Sequence, residues 1–172
     1  GEKKVHIVSK LFNVVKYKVD PETHFLDYDV LEEMVKEHKP KMIITGGTAY
    51  PRDFDYVRLR EIADSVGAMY HADIAHEAGL VGAGVLNTPV GIADVVTMTT
   101  HKTLRSARGS IILSSRDWIK KINSAVLPGI QGGPFNNNIA GIAVGLGEAL
   151  EPKFVEYAEH VIENAKTLAD LL

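Results

Sequence analysis

The sequence predicts an α/β fold in which a mostly parallel β-sheet lies between helical layers. Short apolar runs rich in β-branched residues alternate with longer segments whose apolar positions have helical spacing. Polar residues also stand where three of the apolar runs end, at Thr45, Asp73 and Thr99. Because the carboxyl ends of parallel strands meet at one edge of a sheet, and α/β folds bind ligands there, these ends are the first place to look for a site.

The strands and helices are expected to alternate along most of the chain. Leu59, Ile62 and Val66 give one segment its helical period, and Gly67 is placed to end that helix. The expected strands are residues 5–8, 14–19, 41–45, 68–73, 93–98 and 109–113. The expected helices are residues 29–38, 54–66, 118–126, 138–150 and 152–172.

The bulk composition favours a globular protein that acts on small molecules or on another copy of itself. The chain has 172 residues, 45% of them hydrophobic, and a formal net charge of -3. No run of like charges indicates a nucleic-acid tail, and no apolar stretch is long enough for a membrane span. There are no cysteines, so disulfides and thiolate metal sites are excluded and a reducing, cytoplasmic location is expected.

Lys102 is the most informative candidate. It stands in Thr-Thr-His-Lys-Thr at 99–103, just after an apolar strand, and Asp73 and His76 follow the neighbouring strand. A buried lysine amine beside a carboxylate suits a Schiff base to pyridoxal phosphate, in which the acid keeps the ring nitrogen protonated. Taken alone, Lys102 would be read as a solvated surface residue, and Asp73 as the cap of the next helix.

Other candidate residues have plainer alternatives. His71, Asp73 and His76 could hold a metal, although nothing else in the sequence completes a coordination shell. Gly132 and Gly133 could let backbone N–H groups approach an anion, or form an ordinary turn. The rest are either site residues or surface and turn residues: Arg105 and Arg108 beside the lysine, and Tyr50-Pro51-Arg52 after strand 41–45.

Three motifs closely resemble those of the serine hydroxymethyltransferase family, and they stand in the family's order. They are DIAHEAGLV at 73–81, TMTTHKTLR at 97–105 and VLPGIQGGP at 126–134. The resemblance runs from about Ser9 to the end of the chain, and it includes AYPR at 49–52 and NAK at 164–166. It therefore covers nearly the whole chain.

The resemblance implies an aspartate-aminotransferase-like fold, fold type I among pyridoxal-phosphate enzymes, and the exchange of serine and glycine with tetrahydrofolate as one-carbon acceptor. It implies that Lys102 forms the Schiff base, that Asp73 pairs with the ring nitrogen and that His76 lies at the phenolic oxygen of the cofactor. The other implied site residues are Thr48 and His101 beside the cofactor, Gly132 and Gly133 at the phosphate of a partner subunit, and Arg108, with Tyr50 as pocket wall, on the substrate side. Because each active site would then include residues of two subunits, the resemblance implies a homodimer or higher oligomer.

The sequence departs from the family pattern in two places and in length. Ser-Ala and Gly-Ser surround the arginine at 106–110, where glycine-proline and glycine-glycine are usual, and Phe-Asn-Asn-Asn at 135–138 lacks the histidine common after glycine-proline. Family members are more than twice as long. Residues 1–172 are thus expected to be a single partial domain, the central segment of the large cofactor-binding domain, without the N-terminal part and the C-terminal small domain.

Two other functions remain open on the sequence alone. The chain could be a non-catalytic fragment that keeps the fold and binds the cofactor weakly or serves in self-association. It could also belong to a fold-related aldolase acting on threonine, which would share Lys102 and Asp73 but have no use for folate. The isolated chain is expected not to exchange serine and glycine, because catalysis depends on groups held in place together.

Overall fold

The computed structural model describes residues 7–172, and its centre is a four-stranded sheet in the order β1-β2-β3-β4. β1 pairs with β2 and β2 with β3 in parallel, whereas β4 runs antiparallel to β3. The strands are β1 (Met42–Thr45), β2 (Met69–Asp73), β3 (Val95–Thr99) and β4 (Ser110–Ser114). The predicted fold class, α/β with a mostly parallel sheet, is confirmed.

The helices flank the strands in the expected alternation. They are α1 (Ile7–Leu11), α2 (Tyr28–His38), α3 (Tyr56–Asp64), α4 (Ala78–Gly82), α5 (Arg116–Ser124), α6 (Asn136–Ala149) and α7 (Pro152–Leu171). An irregular wide helical turn, Ala125–Ile130, joins α5 to the loop that contains Gly132 and Gly133. No helix within residues 7–172 is long and apolar enough to cross a membrane.

Side-chain caps fix where α2 and α3 begin. The carboxylate of Asp27 accepts hydrogen bonds from the N–H groups of Asp29 and Val30, and Asp55 accepts one from Arg58 N–H. Both helices then bury an apolar stripe, which is why the helical period of their sequences was readable. The turn after α3 contains Gly67 at φ +68°, a left-handed conformation that glycine adopts without strain.

The main apolar core lies between α2, α3 and one face of the sheet. It joins Leu31 of α2 and Leu59 of α3 to Tyr70 of β2 and Val96 of β3. The Tyr70 hydroxyl is hydrogen-bonded to the buried Thr45 hydroxyl at 2.9 Å, so the one polar group entering this core from β2 has a partner. This packing holds β2 and β3 in register, and their carboxyl ends form the edge described below.

Two of the expected strands are wrong in the described part of the chain. The predicted strand at residues 5–8 lies partly outside the described residues, and its last two, Ile7 and Val8, belong to α1. Residues 14–19 form neither strand nor helix. Their β-branched side chains are largely exposed, and the segment is tied to β1 through a side chain, the Tyr17 hydroxyl that donates to Ile44 O at 2.8 Å. β-propensity without a buried face does not make a strand.

Candidate active site

The carboxyl ends of β2 and β3 bring two chemically active loops to one edge of the sheet. Asp73 is the last residue of β2 and is paired in register with Thr97 of β3. β3 ends two residues later at Thr99, and the loop that carries Lys102 begins there. Because the two strands are parallel, the Asp73–His76 turn and the Lys102 loop leave the sheet side by side.

Two threonine hydroxyls on either side of Lys102 bind the turn that follows Asp73. Thr99 Oγ1 donates to Ala75 O at 2.8 Å, and Thr103 Oγ1 donates to His76 O at 2.6 Å. Thr103 Oγ1 also accepts from Gly79 N–H at 3.0 Å. The loop that carries Lys102, called the lysine loop, and the turn at residues 73–76, called the acid-histidine turn, are therefore fixed to each other by hydrogen bonds from side chains to backbone atoms.

The Asp73 carboxylate stabilises its own turn with one oxygen only. Oδ1 accepts from Ala75 N–H at 3.0 Å, and Oδ2 makes no hydrogen bond to another residue within 7–172. The helix that follows begins at Ala78, with Glu77 as its N-terminal flanking residue. The alternative that Asp73 caps this helix is wrong, and Oδ2 is the oxygen that can accept an N–H from a ligand.

Lys102 and His101 lie half-buried in the loop beside Asp73. The Lys102 amine makes no ion pair or hydrogen bond to any residue described, 7–172. The Nδ1 atom of His101 is buried without a hydrogen-bond partner inside that same range. A buried polar atom of this kind is costly unless something outside the chain binds it.

The lysine loop folds back on itself and rests on α6. The Thr100 hydroxyl donates to Ala107 O at 2.5 Å, and Ser106 N–H donates to Thr100 O at 2.8 Å. Ser106 packs so closely on α6 that a Cβ at Gly145 would lie 2.3 Å from Ser106 Oγ. The serine that departs from the family pattern is thus accommodated by a glycine on the facing helix.

Thr48 and Tyr50 lie in the loop after β1, and they differ in surroundings. Thr48 is exposed, and Gly46 in the same loop packs against Asp73 so closely that a Cβ there would lie 2.3 Å from Asp73 O. The Tyr50 hydroxyl accepts from Leu26 N–H at 3.2 Å, and its ring contacts Phe54 with centroids 4.9 Å apart. The loop that carries Thr48 therefore contacts the Asp73 turn through Gly46, whereas Tyr50 already has structural partners.

Three more predicted site residues are exposed. Arg108 follows the lysine in the same loop, and its guanidinium has no ion pair or hydrogen bond among residues 7–172. Gly132 and Gly133 lie between the wide turn and α6, where a Cβ would have no neighbour within 4 Å. The structure does not bring these glycines into contact with the Lys102 loop, and their role at a partner's cofactor stays a prediction.

The electrostatics of the edge concern His71 and Glu77. Burial lowers the pKa of His71, and the negative charge of Asp73 opposes that shift. The Nε2 atom of His71 lies 2.9 Å from Thr97 Oγ1. Burial raises the pKa of Glu77, and the charge of Asp73 raises it further. Within residues 7–172 no group of three acidic or histidine side chains could hold a metal ion, so the metal alternative at His71, Asp73 and His76 finds no support.

Sequence reasoning missed the residues that connect the two loops. Gly79 and Thr103 meet in a contact so close that a Cβ on Gly79 would lie 2.3 Å from Thr103 O. On the other side, the Tyr157 hydroxyl of α7 donates to the same Thr103 carbonyl at 3.2 Å, and Arg105 stacks on the Tyr157 ring at 4.1 Å. The only signal in the sequence was the glycine one position into a short helical segment, which has several ordinary explanations.

A lysine, a carboxylate and two imidazoles in loops at the carboxyl edge of a mostly parallel sheet define an α/β protein with a candidate ligand site at that edge. The family model of serine hydroxymethyltransferase matches residues 1–172. The chain belongs to the serine hydroxymethyltransferase family, whose members are pyridoxal-phosphate-dependent transferases. The predicted family is confirmed.

Curated relatives named serine hydroxymethyltransferase match almost all of the chain. The protein of Rhizorhabdus wittichii is 54% identical over 96% of this chain, and that of a Marinomonas species is 57% identical over 95%. The protein of Leptospira biflexa is 52% identical over 97% of this chain. The chain spans only 38%, 39% and 40% of the length of these three relatives, respectively.

Proposed function

We propose that the protein carrying this chain is a serine hydroxymethyltransferase that interconverts serine and glycine, with pyridoxal phosphate as cofactor and tetrahydrofolate as one-carbon acceptor. The observation that carries the proposal is the hydrogen-bonded union of the Lys102 loop with the Asp73–His76 turn. It ties the loop that carries Lys102, whose amine has no partner among residues 7–172, to the turn that carries Asp73, whose Oδ2 is uncommitted within the same range.

The residues present fit pyridoxal phosphate. The unpartnered Nδ1 of His101 is a buried polar atom that a bound group would satisfy. Lys102 would hold the aldehyde carbon, Asp73 the ring nitrogen, and His76, Thr48 and His101 would surround the ring. When bound, the cofactor supplies an electron sink for bond breaking at the α-carbon of the amino acid.

The chain's own contribution is to hold charge and protons at fixed atoms. The Asp73 carboxylate would keep the ring nitrogen of the bound cofactor protonated, because a nearby negative charge favours the protonated form. Arg108, exposed in the same loop, offers a cation for an anionic substrate group.

We also infer the surroundings in which this site operates. The exposed Gly132 and Gly133 are free to reach the cofactor phosphate of a partner subunit, so a homodimer or higher oligomer with shared sites is proposed. The absence of cysteine from the sequence fits a cytoplasmic protein. No nucleic acid or membrane is proposed as a partner.

Two alternatives make different predictions. A fold-related aldolase would use Lys102 and Asp73 but would not respond to tetrahydrofolate, and the family match over the whole chain favours the folate enzyme. A non-catalytic fragment would bind the cofactor weakly and turn nothing over. Serine turnover with and without tetrahydrofolate separates the three.

The test of the proposal is to reduce the full-length protein with borohydride in the presence of pyridoxal phosphate and to map the labelled peptides. The label should be on Lys102 and should disappear in Lys102→Arg. Lys153, an exposed lysine at the start of α7, is the matched control and should stay unlabelled in both proteins. Label spread evenly over exposed lysines, or unchanged in Lys102→Arg, contradicts the proposal.

A further inference from the structure

Thr103 occupies the joint between the two halves of the site. Its hydroxyl donates to His76 O at 2.6 Å and accepts from Gly79 N–H at 3.0 Å, so both capacities of the hydroxyl are used on the same turn. The side chain is half-buried, which makes a lost partner more costly than it would be in water. Removal of the hydroxyl would leave a carbonyl and an N–H without their partner.

The main chain of Thr103 is held as firmly as its side chain. Gly79 packs on the Thr103 carbonyl at a distance that no Cβ tolerates, and the Tyr157 hydroxyl donates to that carbonyl from α7 at 3.2 Å. Arg105, two residues further on, stacks on the Tyr157 ring at 4.1 Å. Thr103 is therefore fixed by contacts from α4, from α7 and from the turn that ends in His76.

These contacts bear on Lys102 because the two residues are adjacent in the chain. The lysine loop is bonded to the Asp73–His76 turn at two places: the Thr99 hydroxyl donates to Ala75 O, and the Thr103 hydroxyl donates to His76 O. Other hydrogen bonds of the loop, such as that from Thr100 to Ala107 O, lie within the loop itself. Lys102 stands between Thr99 and Thr103. Its backbone position relative to Asp73 and His76 is set by two hydroxyls that grip two successive carbonyls.

Resting on the proposed function, we propose that Thr103 is a positioning residue whose hydroxyl sets the placement of the Lys102 amine relative to Asp73 and His76. The hydroxyl does not touch the reacting atoms. It acts by keeping the lysine loop and the acid-histidine turn at one separation. The Thr99 hydroxyl also links the loop to the turn, but Thr99 is the last residue of β3 and is held in addition by its pairing with Ser110 of β4.

The experiment compares Thr103→Val, which keeps the shape and loses the hydroxyl, with Thr103→Ser, which keeps the hydroxyl. Thr45→Val is the matched control, because it removes a buried hydroxyl bonded to Tyr70 in the core rather than in the loops. The full-length protein is loaded with pyridoxal phosphate, and the pH midpoint of the visible absorption change is recorded. Hydrogen exchange of the peptide 74–82 is measured without cofactor.

Thr103→Val should shift the absorption midpoint by about half a pH unit or more, since the loop that carries Lys102 would lose a tie to the turn that carries Asp73. It should also speed exchange at the Gly79 amide by about tenfold. Thr103→Ser should restore both values, and Thr45→Val should leave the midpoint unchanged even if it lowers the melting temperature.

Three results would overturn the proposal: an unshifted midpoint in Thr103→Val, an equal shift in Thr103→Ser, or an equal shift in Thr45→Val. The exchange measurement separates this failure from failure of the proposed function. If the parent protein shows no cofactor absorption, the proposed function is wrong and the positioning role falls with it. In that case faster exchange in Thr103→Val would leave only a structural joint.

Discussion

Gly79→Ala is the sharpest test of the close contact between α4 and the lysine loop. The added Cβ would lie 2.3 Å from Thr103 O, 2.4 Å from Thr103 C and 2.7 Å from Leu104 N. These are main-chain atoms, so relief requires the loop or the helix to move. Overpacking of this kind costs about 1–3 kcal/mol, and the rigid neighbours place it near the upper end.

The opposing effect is the helix propensity of alanine. Glycine within a helix is about 1 kcal/mol less favourable than alanine, so part of the steric cost is offset. The net expectation is a free energy of unfolding lower by about 2 kcal/mol. The same helix offers a matched control in Gly82, where a Cβ meets nothing within 4 Å, and Gly82→Ala should raise stability by up to about 1 kcal/mol.

Urea unfolding of the full-length protein measures both variants. The transition midpoints should move in opposite directions, with similar slopes, because the surface exposed on unfolding is nearly the same. If Gly79→Ala proved as stable as Gly82→Ala, the packing of α4 on Thr103 would be wrong, and the position assigned to the Lys102 loop would be wrong with it.

The other predictions concern the carboxylates and the isolated chain. Asp73→Asn should lower turnover of the full-length enzyme by orders of magnitude without changing its circular dichroism, because an amide cannot balance a protonated ring nitrogen; near-normal turnover would remove Asp73 from the site. The raised pKa of Glu77 means that its protonated form favours folding and that this contribution fades as pH rises from 4.5 through the raised pKa. As pH rises from 4.5 to about 7, the melting temperature should therefore fall less in Glu77→Gln than in the parent protein. Identical pH profiles of the two proteins would contradict the burial of the Glu77 carboxyl. Residues 1–172 alone should show no folate-dependent turnover and should self-associate on gel filtration, because Ile130 and Leu150 are 87% exposed; a monodisperse, active monomer would contradict both.

The strands and helices that pack on the core were predictable because burial imposes a period on their sequences. Residues 41–45 and 68–73 were expected as strands and differ from the observed β1 and β2 by one residue at the first position. Residues 14–19 have the same β-branched composition and failed as a strand, because their side chains are exposed. Composition predicts a strand only where the fold supplies a face to bury.

The residue types of the candidate site were predictable from the sequence, whereas the contacts that hold them in place were not. The positions of Lys102 and Asp73 at strand ends followed from the parallel sheet. The antiparallel direction of β4 and the short helix α4 did not, because a five-residue helix shows no readable period. Hydroxyl-to-carbonyl bonds such as those of Thr99 and Thr103 leave no trace in the sequence, since threonine is common and its partner is a backbone atom.

The contact of Tyr157 with the Thr103 carbonyl has a consequence for how the site is made during synthesis. The two residues are 54 positions apart, so the lysine loop waits for α7 to emerge before its last anchor exists. At ordinary elongation rates of about 5–20 residues per second, the delay is roughly 3 to 11 s. Through that interval the nascent loop can already contact β3, α4 and α6 but not α7, so the Thr103 carbonyl gains the Tyr157 hydroxyl as its partner late in synthesis.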